Sequence, residues 1–356
     1  MLTRHPRLTH GADVGVTGAE GKCGAAQASP FPASPFLAFP FLARPARSIR
    51  RERAWAWLVL PGAPGQSSTI MTSRALATMP RAIAAAVLIG AAAPVAAASA
   101  STTWVQGDEA EFALLSADTA VAPGVASLSL ALAVRIAEGW RIYWRTPGAA
   151  GLPPQLDWAG SGNLAAVTMS WPAPQRFESF GQQSYGYRDE VVFPLAATLL
   201  RPGEAVAAQL AVTYLVCREV CIPGEASLAL DLPAGGAGPT AEAPMIAAAR
   251  ARVPGDAAAH GLALAARAEP GGLSVIARGA APFTAPDLFL EWPLAPGQRR
   301  PDLPRPTVTL SDGGREAHFA ITVHPPLVRP GTVLRVTVTD GDRAAEGSVT
   351  IAPAAP

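Results

Sequence analysis

From residue 126 to 136 apolar and polar positions alternate. Leu128, Leu130, Leu132, Val134 and Ile136 share one parity, and Ser127, Ser129 and Arg135 share the other. A period of two over such a run predicts a long strand with one face buried. Further strand patterns occur at 140–144, 164–171, 190–198, 207–216 and 225–232. Gly/Pro punctuation separates most of them, as at Pro147-Gly148, Pro153-Pro154 and Pro202-Gly203. Regularly spaced short strands without a helical period predict an antiparallel β-sandwich over 101–232.

A Pro/Gly/Ala stretch, Pro233 to Pro239, ends that unit. Residues 240–253 then read as a short helix: Thr240 is placed to cap it, Glu242 lies in its first turn, Pro244 delays its start and Pro254 stops it. The linker with its helix spans 233–256. Strand patterns return at 262–267, 273–278, 287–292, 316–323, 333–339 and 347–351, which predicts a second, smaller β-sandwich over 257–356. The fold class is therefore all-β.

The first hundred residues differ. Residues 1–70 repeat Pro-Phe-Leu-Ala-like pieces and then an arginine cluster, with no lasting period, so they read as low-complexity, disordered sequence or an over-extended start. Residues 71–100 have the layout of a signal peptide. Arg74 and Arg81 precede an uncharged apolar run, 82–98, that closes in Ala96-Ala97-Ala98-Ser99-Ala100. The run is short and alanine-dominated for a membrane span, which needs about 20 strongly apolar residues. No later segment is apolar enough to cross. The expected mature product is soluble, without a stable membrane span, in an oxidising compartment.

Composition narrows the function classes. The chain has 356 residues, 49% hydrophobic and 15% charged, enough for two domains with substantial cores. A formal net charge of +1 argues against a nucleic-acid partner, which needs a clear basic excess. The 36 prolines and 33 glycines favour a loop-rich β architecture.

Candidate chemistry concentrates at Cys217 and Cys221, the only cysteines beyond Cys23. They lie between two predicted strands, and residues facing each other across a hairpin have Cα atoms about 4.5–5.5 Å apart, within disulfide range. Three readings compete. A structural crosslink would close a ring of only five residues, worth about 2 kcal/mol by chain entropy. A metal site is disfavoured because 101–232 has no histidine and a single methionine, Met169. A redox-active dithiol needs an accessible sulfur, a resolving partner and some control of exchange. The residues favour the last over the first. Trp140, Tyr143 and Trp144 read mainly as core, whereas Phe177, Phe180, Tyr185 and Tyr187 crowd a glycine-bearing loop, 177–189, that is a candidate cover for a site. His260, His318 and His324 of the second unit are scattered and read as ordinary polar or packing residues.

The ordered segments Phe180-Gly181, Tyr185-Gly186-Tyr187-Arg188-Asp189, Val192-Phe193-Pro194-Leu195, Val212-Thr213-Tyr214 and Cys217 to Cys221-Ile222-Pro223 together resemble the N-terminal periplasmic domain of DsbD-type thiol:disulfide interchange proteins. Trp144-Arg145-Thr146-Pro147-Gly148, Gly151-Leu152-Pro153-Pro154 and the short cysteine spacing resemble the ScsB-like branch. The resemblance implies an immunoglobulin-like sandwich with two redox cysteines on a hairpin. Cys221 would form mixed disulfides and Cys217 would resolve them. Phe180, Tyr185 and Tyr187 supply the aromatics of the cap loop, with Phe180 or Tyr185 as the shield. It also implies a transmembrane electron donor, here a separate protein, and periplasmic thioredoxin-like partners; no cofactor or metal is expected. The family pattern continues into a membrane conduit and a thioredoxin-like domain, neither of which is legible in these residues.

The expected function is thus a periplasmic thiol:disulfide oxidoreductase component relaying electrons through Cys217 and Cys221. The alternative is a non-catalytic β-sandwich binding or assembly module with a structural disulfide. A copper-handling accessory protein is a third reading, prompted by the ScsB-like features alone.

Overall fold

In the computed structural model of the protein, the described residues are 100–355 except 180, 295–297, 299 and 324–326. The expectations for 1–70 and for the signal peptide, 71–100, fall almost wholly outside them, as do those for His324 and Phe180.

The first β unit contains β1 (Val105–Gln106), β2 (Ala110–Ser116), β3 (Ser127–Ile136), β4 (Arg141–Gly148), β5 (Gln155–Asp157), β6 (Leu164–Met169), β7 (Gln175–Ser179), β8 (Gln182–Tyr187), β9 (Glu190–Leu199), β10 (Val206–Cys217) and β11 (Cys221–Leu232). One sheet has the order β1-β2-β3-β9-β6; the other runs β11-β10-β4-β8-β7, with β5 also paired to β10. Alternate residues from both sheets meet in one core, including Phe112, Leu130, Leu132, Trp144, Phe193, Leu195, Val212 and Val216. This is the immunoglobulin-like sandwich expected from the sequence.

The 177–189 segment is not a loop. It forms the β7–β8 hairpin, with Phe177 opposite Ser184 and Ser179 opposite Gln182. Its polar residues hid the strands: Gln183 and Ser184 are buried although their types suggest exposure. Strand β3 is also more buried than its alternation predicted. Ala131 and Ala133, on the supposedly polar face, are fully buried. Helix α1 (Ala243–Ala251) covers that face, where Ile246 packs with Ala113, Leu115, Ala131 and Ala133. Burying one such isoleucine contributes roughly 1.5–3 kcal/mol.

Helix α1 starts at Ala243, a delay of the kind expected from Pro244. Thr240 does not cap it, because its hydroxyl donates to Ser116 O at 2.6 Å; Glu242 occupies the N-cap position and proline lies in the first turn.

The second β unit follows, with β12 (Gly255–Asp256), β13 (Ala263–Glu269), β14 (Gly272–Arg278), β15 (Pro286–Glu291), β16 (Thr307–Ser311), β17 (Glu316–Thr322), β18 (Val333–Asp340) and β19 (Arg343–Ala352). The strand order is β15-β18-β19-β13-β14-β17-β16. Strand β19 pairs antiparallel with β18 along most of its length, then parallel with β13 at Ile351 and Ala352. It thereby joins the two faces that enclose Val275, Phe319, Leu334 and Val336.

The two β units are not beads on a string; they lie within one compact body. Phe289 of β15 belongs to the core of the first unit, 5.0 Å from the Tyr185 ring and 6.0 Å from that of Trp144. Among the described residues no helix is long and apolar enough to cross a membrane.

Candidate functional site: a dithiol at a hairpin tip

Strands β10 and β11 pair through twelve successive positions, from Val206 with Leu232 to Cys217 with Cys221. Period two explains the register. Val206, Ala208, Leu210, Val212, Tyr214 and Val216 of β10, and Ala226, Leu228, Leu230 and Leu232 of β11, all enter the core. A one-residue slip would turn both sets outward. This register leaves the cysteines as the last pair before the turn Arg218-Glu219-Val220, which is closed by the Arg218 N–H donating to Val220 O at 3.1 Å. The two cysteines form a disulfide with Cα atoms 4.1 Å apart.

Glycine lets the hairpin settle. A Cβ at Gly224 would lie 2.3 Å from Tyr214 Cζ, so the tyrosine ring occupies the space left by the absent side chain. The Tyr214 hydroxyl donates to Asp108 O at 3.1 Å, and its ring lies 4.6 Å from Phe112. Burial raises the Tyr214 pKa against the lowering effect of that hydrogen bond.

The two sulfurs have different surroundings. Cys217 is 1% exposed, whereas Cys221 is an exposed residue. Strand β4 borders the pair, with Arg141 in register with Cys217. Ile142 and Trp144 of β4 point into the core, so Arg141 and Tyr143 have the opposite parity. The Tyr143 hydroxyl lies 3.9 Å from Cys221 Sγ. Its ring is held by the chain returning after β4: Gly151 has φ of 105° and a Cβ there would sit 2.4 Å from the ring. Tyr143 was grouped with the core aromatics on sequence, and it is buried, at 1% exposure. The parity of β4 was the signal that would have separated it from Ile142 and Trp144.

Three guanidinium groups surround this end of the sheet. Arg218 lies 5.2 Å over Trp140, and Arg141 and Arg188 approach Phe177 at 5.7 and 4.8 Å. Positive groups close to a cysteine favour its thiolate, the nucleophilic form. Exposed Glu219, in the turn itself, works against them.

The aromatics expected to form a cap are placed as follows. Tyr185 is 3% exposed, with its ring edge-on to Phe289 and its hydroxyl accepting from Arg176 at 3.4 Å. Tyr187 is 5% exposed, packs edge-on to Phe193 and donates to Pro172 O at 2.7 Å. Burial raises the pKa of both, and for Tyr185 the nearby Arg176 opposes that rise. These are packing contacts; the described phenol that reaches the dithiol is Tyr143.

Among the described residues no group of three or more His, Cys, Asp or Glu gathers as a metal site. His318 Nε2 lies 2.7 Å from Ser274 Oγ, and His260 Nδ1 lies 2.9 Å from Asp256 O.

Comparison with known proteins matches this geometry. Residues 111–233 match the family described as "Thiol:disulfide interchange protein DsbD, N-terminal". Residues 252–354 match a domain of unknown function (DUF8393). The crystal structure of the N-terminal periplasmic domain of ScsB from Proteus mirabilis is similar at 24% identity and a TM-score of 0.57. That match covers 72% of this chain and 99% of the other, so it extends across both β units and supports the fold of the pair. No curated protein matches the chain. The resemblance drawn from the sequence is borne out for the first unit.

Proposed function

We propose that the first β unit is a periplasmic thiol:disulfide exchange domain acting through Cys217 and Cys221, and that it relays electrons from a membrane-embedded donor to periplasmic thioredoxin-like proteins. The observation that supports this most is the asymmetry of the pair: Cys217 is buried, and Cys221, bonded to it, is an exposed residue at a hairpin tip. A structural staple has no need of that difference. An exchange site does, because one sulfur must meet the partner while the other waits within bonding distance.

The chemistry balances without a cofactor. In the reduced state the Cys221 thiolate attacks one sulfur of a partner disulfide. A bond forms between Cys221 and that sulfur, and the partner's second sulfur leaves as a thiolate that takes up a proton. The Cys217 thiolate then attacks Cys221 Sγ, re-forming the Cys217–Cys221 bond and releasing the partner's other cysteine. The partner has gained two electrons and this dithiol has lost two. A dithiol on the membrane donor reverses the oxidation by the same two displacements. The Tyr143 hydroxyl is placed to donate a hydrogen bond to the Cys221 thiolate, and Arg218 adds positive charge at the turn.

Equilibration with glutathione tests the reading. An exchange dithiol should titrate within the range of known redox proteins. A bond that stays oxidised below about −300 mV would instead be a structural disulfide, and the chain would then be a binding or assembly module.

A further inference from the structure

The second β unit has no cysteine, yet it is tied to the sheet that carries the dithiol. Arg145 of β4 reaches across to Glu291 of β15, with its Nη2 2.6 Å from Oε1 and its Nε 3.1 Å from Oε2. The same Nη2 donates to Glu346 of β19 at 2.6 Å. Thr146 adds a hydroxyl bond to Glu291 at 2.8 Å. Arg176 of β7 grips Asp287 through Nε and Nη2, both at 2.9 Å, and also donates to Leu288 O. Both arginine side chains are largely buried, at 17% and 6% exposure. Burial disfavours each charge, but bonds to the facing carboxylates outweigh it and both pKa values stand above the ordinary arginine value.

Such contacts do more than space two domains. Planar, paired guanidinium–carboxylate bonds fix orientation as well as distance. The β4 strand makes the connection to the site. It carries Arg141 beside Cys217 and Tyr143 beside Cys221 Sγ, and then Trp144, Arg145 and Thr146 against the second unit. Tyr143 and Arg145 are about 7 Å apart along the strand. The second unit therefore holds the backbone that aims the Tyr143 hydroxyl.

We infer that the second β unit is a positioning clamp for the redox sheet: Glu291, Glu346 and Asp287 lock Arg145 and Arg176, and this lock holds Tyr143 at the Cys221 sulfur. The inference rests on the exchange reading given above. It makes Arg145 and its carboxylate partners positioning residues, acting through Tyr143 rather than on the sulfur.

A double-mutant cycle tests it. In a Cys217→Ser background the single thiol of Cys221 is alkylated near neutral pH, with Tyr143→Phe, Glu291→Gln and the pair compared. Losing the hydroxyl bond lowers the thiolate fraction. The nucleophilicity of the remaining thiolate rises in part compensation, so a tenfold drop in that fraction slows alkylation about threefold. The clamp predicts this slowing for either single change and no further slowing in the double variant, because both act through one contact. With both cysteines present, Glu291→Gln should also shift the glutathione equilibrium toward the disulfide, by the same factor as Tyr143→Phe. Thr146→Val repeats the cycle at the same carboxylate with Arg145 still paired, should Glu291→Gln fail to fold. An unchanged or faster rate in the clamp variants beside a slow Tyr143→Phe overturns the inference, and so do multiplicative effects. Failure of the exchange reading is separately visible, as a wild-type bond that glutathione cannot reduce.

Discussion

Two hairpins invite comparison. In the first unit β10 and β11 end in the pair Cys217 and Cys221; in the second, β18 and β19 end in Asp340 and Arg343. Both are long, antiparallel and tightly turned. The second is pinned without covalent chemistry. Asp340 is buried and accepts from Arg343, from the Thr284 N–H and hydroxyl, and from the Ala285 N–H at 2.7 Å. Burial pushes its pKa up, but these bonds outweigh that and hold it below the usual carboxylate range. A hairpin end in this protein can thus be fixed by an ion pair and hydrogen bonds alone. The cysteine pair is better explained by what a disulfide can do and an ion pair cannot, which is to open and close by exchange.

The largest expected contrast follows from removing each pin. Asp340→Ala strands the Thr284 and Ala285 N–H donors and should cost about 2–4 kcal/mol in denaturant unfolding. Reducing Cys217–Cys221 opens a five-residue ring and should cost about 2 kcal/mol. A larger loss on reduction than on Asp340→Ala would make the disulfide the structural element after all.

The aromatics of β7 and β8 give the next effect. Tyr185→Ala empties a buried site against Phe289 and should destabilise the protein by about 3 kcal/mol. If Phe180 shields the dithiol, Phe180→Ala should speed alkylation of reduced Cys221. Equal alkylation rates would exclude Phe180 as the shield.

A smaller effect depends on pH. Burial raises the Glu346 pKa, but bonds to Arg335 and Arg145 outweigh it and the folded value lies below the ordinary one. As pH falls, the unfolded chain takes up this proton first. The contribution of Glu346 is therefore complete above its unfolded value of about 4.3 and is lost as pH drops through the folded value. The stability gap between wild type and Glu346→Gln should be full at neutral pH and should close below about pH 4. A gap that persists in acid would mean that the carboxylate is not what Glu346 contributes.

The smallest effect is expected at the turn. Val220 is 65% exposed beside Cys221, so Val220→Ser should change stability by less than about 0.5 kcal/mol. A slower mixed-disulfide reaction in that variant would mark Val220 as a partner contact, and an unchanged rate would exclude it.

Much of this was legible in the residues. Period two and the two cysteines located β10, β11 and the dithiol, and ordered motifs pointed to the family that residues 111–233 match. What stayed hidden has physical causes. Strand β2 lacks clean alternation because both its faces are covered, with Phe112 and Leu114 in the sandwich core and Ala113 and Leu115 under α1. The β7–β8 strands are polar because their burial comes from neighbouring elements rather than from their own composition. The burial of Arg145 and Arg176 has no local signal, since the carboxylates that pair with them lie 146 and 111 positions away along the chain. Tyr143 needed the strand parity to be separated from its core neighbours.

In the proposed exchange Cys221 forms the mixed disulfide and Cys217 resolves it. The direct measurement is to mix reduced Cys217→Ser protein with an oxidised periplasmic thioredoxin-like protein and map any covalent complex by mass spectrometry. The expected product is a stable mixed disulfide through Cys221, and a much weaker one when Cys221→Ser leaves only the buried Cys217. No complex through Cys221, or equal trapping by either cysteine, would contradict it.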